Sequence, residues 1–122
     1  MDTLALLIEW LKPVGEVRSE RPNGAPLPFI VVRRIGGGDD GLTDKGLFSV
    51  HTYAATRAGA LSHARSVDRR LKLLAPPFGG QTAVNGDYVD NVVCTEEPVE
   101  TAFTDDRSIF RFTGTYRVET RL

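Results

Sequence analysis

Two apolar runs rich in β-branched and aromatic residues, PFIVVRRI (28–35) and GLFSVHTYA (46–54), stand on either side of the glycine- and aspartate-rich segment GGGDDGLTDK (36–45). Both runs have strand composition, so together they predict a β-hairpin. The connection is far longer than a turn requires. A loop of about ten residues with several glycines has no packing of its own, and ordering it costs roughly 1–2 kcal/mol per residue in backbone entropy. An external contact is expected to offset that cost. Gly36, Gly37, Gly38, Asp39, Asp40, Gly41, Thr43, Asp44 and Lys45 are therefore the candidate contact loop.

Around this hairpin the chain predicts two helices and further strands. Leu4, Leu7, Ile8 and Leu11 share one face at helical spacing, with Asp2 or Thr3 placed to cap the first turn and Pro13 to end it. A brief strand is expected at 16–18, followed by a surface loop in ERPNGAPLP. Thr56 can cap a second helix over about 57–75, stopped by Pro76 and Pro77; Ala60, Leu61, Ala64, Val67, Leu71 and Leu74 form its apolar stripe. Asn85-Gly86 suits a two-residue type I′ turn between strands at about 81–84 and 87–96. Pro98 should interrupt that ladder or sit at its edge. In the last strand, about 108–120, Phe110, Phe112, Tyr116 and Val118 alternate with Arg111, Thr113, Arg117 and Glu119, so one sheet face meets the core. The expected fold class is α+β: a mostly antiparallel sheet with both helices on one face.

At 122 residues the chain suits one domain spanning 1–122. Its hydrophobic content of 41%, charged content of 25% and formal net charge of -1 give no global attraction to nucleic acid or anionic membrane. Cys94 is the only cysteine, which excludes an internal disulfide or a thiolate zinc site and permits a reducing compartment. The opening MDTLALLIEWLKPVG has an apolar run well short of the ~20 residues that span a bilayer, and Asp2 and Glu9 replace a basic flank. Neither secretion by that route nor a membrane partner is expected.

Candidate chemistry is sparse. His51 and His63 are the only histidines and lack the spacing that fixes two ligands on one helix; they read as a strand-face and a helix-surface histidine. No serine lies in a GxSxG elbow, and Cys94 has no basic neighbour in sequence and reads as a small buried residue. The doublets Asp39-Asp40, Glu96-Glu97 and Asp105-Asp106 match no EF-hand spacing and read as solvated loop charge. Gly36–Gly38 is followed by two aspartates, which disfavours a phosphate cradle. No catalytic, cofactor-binding or metal-ligating set is expected.

Charge is unevenly placed. Asp87, Asp90, Glu96, Glu97, Glu100, Asp105 and Asp106 form an acidic stretch without a cation, while the second helix carries Arg57, Arg65, Arg69, Arg70 and Lys72 against Asp68. Separate acidic and basic faces suit head-to-tail association of copies, which closes into a ring when the rotation per subunit divides the circle.

These segments together resemble the tail terminator proteins of long-tailed, non-contractile phages, of the type found in phages of mycobacteria and related actinobacteria. The resemblance is carried by LIEWLKPVGEVRSERP, LPFIVVRRIGGGDDGLTDKGLFSVHTYA, TRAGALSHARSVDRRLKLLAP and DDRSIFRFTGTYRVE. The element order is also similar to the lambda-type terminator fold. The resemblance implies a structural virion protein, made in the host cytoplasm and found in the tail and neck. It implies a homo-oligomeric, hexameric ring on the head-proximal end of the tail tube, which stops tube growth and meets the head-tail connector or head closure protein. DNA would pass through the lumen without sequence-specific binding, and the basic helix face is expected to point away from that lumen. Another neck protein is the nearest rival, and a small ligand-binding or hydrolytic domain using His51, Cys94 or the acidic loops is a further one.

Overall fold

A computed structural model describes residues 3–22, 24–75, 83–84, 87–101 and 108–121. Along the chain run α1 (Thr3–Leu11), a 3-10 turn (Lys12–Val14), β1 (Val17–Arg18), β2 (Phe29–Asp39), β3 (Thr43–Ala54), α2 (Arg57–Lys72), β4 (Ala83–Val84), β5 (Asp87–Thr101) and β6 (Phe110–Arg121). The strands form one six-stranded sheet in the order β1-β2-β3-β6-β5-β4. Only β1 and β2 pair in parallel; the other pairings are antiparallel. This is the expected α+β fold.

Alternation along the strands decides which face is covered. Ile30 and Val32 of β2, Phe48 and Val50 of β3, and Tyr116 and Val118 of β6 all point to one side. There they meet Leu6, Leu7 and Leu11 of α1 and Val67 and Leu71 of α2, so both helices pack on the same face. On α1 Leu7 and Leu11 are buried, with Leu6 beside them and Leu4 and Ile8 half-buried; on α2 Ala60, Ala64, Val67, Leu71 and Leu74 are buried, and Leu61 is half-buried. Thr56 caps α2, its hydroxyl accepting from Gly59 N at 3.0 Å. The hydroxyl of Thr3 is taken by Thr120 Oγ1 at 3.1 Å and Asp44 Oδ2 at 3.3 Å, and Asp2, the other candidate cap of α1, lies outside the described residues.

The segment 36–45 corrects the expectation of a long loop. β2 and β3 stay in register from Phe29↔Tyr53 to Asp39↔Asp44, and only Asp40, Gly41 and Leu42 lie between them. Strand pairing has overridden the weak β-propensity of Gly36, Gly37, Gly38, Asp39, Thr43, Asp44 and Lys45, because β3 is bonded along its other edge to β6 as far as Thr43↔Arg121. Glycine instead serves the bend: the ladder shifts between Arg34 and Gly36, and Gly37 follows at φ 85°, where an added Cβ would lie 2.0 Å from the carbonyl oxygen of Lys45. The tip is held by the side chains of its aspartates. Asp39 Oδ1 accepts from Gly41 N at 3.0 Å, and Asp40 Oδ1 accepts from Leu42 N at 3.0 Å and Thr43 N at 2.8 Å. The bonds to Thr43 and Leu42 lower the Asp40 carboxyl pKa. A bidentate pair from Arg34 to Asp44, at 2.8 Å for each contact, ties the two strands and holds the Asp44 carboxyl below its ordinary range.

Two boundaries also move. α2 ends at Lys72 rather than near Ala75, since Leu73, Leu74 and Ala75 donate to carbonyls three residues back and tighten the last turn. β5 runs through Pro98 to Thr101 instead of stopping near Glu96; register shifts at Cys94/Glu96 and Glu96/Val99 absorb the missing donor. Asn85-Gly86 and Pro76-Pro77 lie outside the described residues, although β4 and β5 on either side of Asn85-Gly86 pair antiparallel. No helix among the described residues is long and apolar enough to cross a membrane.

Candidate interaction site

The acidic and basic segments are neighbours in the fold, which corrects the picture of two separate charged faces. β5 lies beside α2, and Lys72 Nζ bridges Asp68 at 2.8 Å and Glu97 at 3.0 Å, while Arg57 reaches Glu100 at 2.6 Å. Arg70 faces α1: its guanidinium stacks 3.6 Å from the Trp10 ring centroid, its Nε donates to Trp10 O at 2.9 Å, and Trp10 Nε1 donates to Arg70 O at 2.8 Å. Among the basic residues of α2, Arg65 and Arg69 remain outward, lining a shallow surface groove with Ala58, Leu61 and Ser62. Glu96 is exposed on β5 and Asp90 is half-buried; Asp105 and Asp106 lie outside the described residues, as does the side chain of Asp87.

One acidic cluster has metal-like spacing. The ligand atoms of Asp68, Cys94 and Glu97 lie within 4.8 Å of one another. Lys72 Nζ already supplies the positive charge there, and Tyr116 Oη donates to Asp68 Oδ1 at 2.8 Å. These bonds to Asp68 and Glu97 raise the Lys72 pKa; burial, then Asp68, raises that of Tyr116. Burial also pushes the Cys94 thiol up, with Glu97 and Asp68 adding to it, which disfavours the thiolate. The cluster is a pinned salt bridge under α2.

On the face the helices leave open, sequence reasoning missed a hydrogen-bonded row across β3, β6 and β5. Arg111 Nε donates to Thr101 Oγ1 at 2.8 Å, Thr101 Oγ1 lies 2.9 Å from Thr113 Oγ1, Thr113 Oγ1 3.0 Å from His51 Nδ1, and His51 Nε2 3.0 Å from Ser49 Oγ. A proton order that satisfies every member runs from the guanidinium through both threonines to a neutral His51 whose Nε2–H donates to Ser49. Ser49 then accepts from the histidine rather than yielding a proton to it, the reverse of nucleophile activation. Burial, helped by Arg111 and Arg33, lowers the His51 pKa to about 4. His63 sits on α2, across the sheet from His51, so the structure does not bring the two histidines together. The signal for this row was the strict alternation of polar residues in β6 opposite Ser49 and His51, legible only once the register was known.

A second surface was also unforeseen. Pro22, Ala25, Pro26, Pro28 and Phe29, with Glu16 and Arg18 at the rim, enclose an open groove of about 490 Å³ beside the start of β2. Along its outer side β2 pairs with β1 only through Ile30 and Val31, so beyond Val31 no described strand covers that edge.

No family model matches the chain, and no curated protein does. Among solved structures it is similar to a chain of the virion of the native gene transfer agent particle, with a TM-score of 0.59 and 15% identity over 93% of this chain and 84% of that chain. At that identity the likeness is one of fold.

Proposed function

We propose that the chain is a structural, non-enzymatic virion protein: a tail terminator that closes into a ring, hexameric as in the terminators it resembles, on the head-proximal end of a phage tail tube. The observation that carries this reading is the shared fold with a virion chain, which extends over nearly the whole of both molecules. Its surfaces fit that use. No described strand pairs with the β2 edge beyond Val31, and Leu42 at the hairpin tip is 79% exposed. Asp68, Lys72 and Glu97 are engaged in a bridge between α2 and β5, and His51 in a hydrogen-bonded row with Ser49 and Thr113. Capping a tube requires a surface complementary to the last tube ring and an opposite surface that is not, so growth stops after one layer. The head-tail connector or head closure protein then meets the second surface. Arg65 and Arg69 on α2 would face away from the channel, since a basic lining would retard DNA.

Electron microscopy of the purified protein, alone and mixed with tail tube subunits, tests this. Annuli with a central hole and tubes arrested in length are expected. Monomers that leave tube growth unchanged would refute it, and annuli that bind DNA-filled heads but not tails would reassign the chain to another neck protein.

A further inference from the structure

The hairpin tip and the proline-lined groove lie at opposite ends of the same strand. Phe29 starts β2 in the groove, and Asp39 ends it at the tip, roughly 30 Å away at about 3.4 Å per residue. They also complement each other. The tip presents Leu42, the most exposed large hydrophobic among the described residues, on a turn made rigid by the Asp39 and Asp40 side chains. The groove offers apolar walls in Pro22, Ala25, Pro26, Pro28 and Phe29.

The charges also bear on it. Asp39 and Asp40 precede Leu42 at the tip, with Lys45 near them, while the groove carries Arg18 at its rim, paired with Glu16 at 2.8 Å, and Arg21 behind it. Arg21 Nη2 donates to the carbonyl of Ala25, a groove residue, at 2.6 Å, while its buried Nε has no hydrogen-bond partner among the described residues. Arg21 is itself only half-buried, so its guanidinium adds positive charge behind the rim that a tip carboxylate would complement.

Building on the ring reading above, we infer that Leu42 of one copy seats in the Pro22–Pro26–Phe29 groove of the next, with Asp39 reaching toward Arg18 and Arg21. The contact is heterologous: each copy uses its tip once and its groove once, so every added subunit leaves one of each open until the chain of copies closes. The rigid tip makes this inexpensive in entropy, since no loop must be ordered on docking.

Cysteine pairing tests it directly. In a Cys94→Ser background, the double variant Leu42→Cys, Pro26→Cys should give a ladder of covalent oligomers on oxidation, whereas each single variant gives at most a dimer. Leu42→Glu should weaken self-association at least tenfold by light scattering with unchanged circular dichroism. Asp39→Arg and Arg18→Asp should each weaken it, and together restore it. Wild-type annuli with no ladder and no effect of Leu42→Glu would overturn this inference and leave the ring reading intact. Wild-type protein that stays monomeric and ignores tubes would overturn both. Cross-links from Leu42→Cys to tube subunits alone would overturn the inference in favour of a contact between stacked rings.

Discussion

The two faces of the sheet solve the same problem by different means. The helix-covered face is an apolar core around Phe48, Tyr116, Leu71 and Val118, bordered by polar contacts from Tyr116 to Asp68 and between Thr3 and Thr120. The other face has a smaller apolar cluster of Phe29, Val31 and Tyr53 and, beside it, a hydrogen-bonded row of hydroxyls, one imidazole and one guanidinium. Area removed from water carries far more free energy than a hydrogen bond exchanged with water. The covered face should therefore dominate stability, while the open face contributes register and a polar surface suited to contact.

Breaking that contrast begins with the core. Phe48→Ala should cost about 3–5 kcal/mol in urea unfolding, because it leaves a cavity in the fully buried centre. The hairpin extension comes next. Gly37→Val should cost about 3 kcal/mol, with amide exchange accelerated in 36–45 and little changed in α2, since a side chain at φ 85° meets the Lys45 carbonyl. Asp68→Ala should cost about 1–3 kcal/mol by leaving the Tyr116 hydroxyl without its acceptor and Lys72 with Glu97 alone.

The open face gives smaller effects with a distinct pH signature. The His51 pKa lies below its ordinary value of 6.5 in the folded state, so the unfolded chain binds the proton first as acid is added. His51 thus costs no stability above about pH 6.5 and destabilises progressively as the pH falls toward 4; urea midpoints at pH 7 and pH 4.5 should differ less in His51→Gln. Thr101→Val is expected to cost under about 1 kcal/mol. If Thr101→Val matched Phe48→Ala, the division of labour between the faces would be wrong.

Much of the fold was legible because periodicity reports burial. The stripe of α2, the Thr56 cap and the alternation of Phe112, Tyr116 and Val118 each followed from spacing alone. Residues 36–45 misled because glycine and aspartate are poor strand formers in isolation, and only the support of β6 behind β3 extends the ladder through them. Pro98 interrupts the ladder as expected, but the strand continues past Glu96 to Thr101, since a bulge that accommodates a proline is a property of two strands. The charge pattern was read correctly as composition, but its geometry was not. Nothing in the sequence shows that Glu97 and Glu100 fall beside Lys72 and Arg57, so residues that looked like two separate faces pair with one another on one surface. The groove at Pro22–Phe29 was read as a plain surface loop, because concavity has no signature in composition.

The clasp between Trp10 and Arg70 gives this molecule a built-in optical sentinel. Trp10 is the sole tryptophan, so every photon of indole emission reports one joint, that between the first helix and the end of the second. Were the first helix to lift during encounter with another particle component, its fluorescence would shift toward the red without any attached dye.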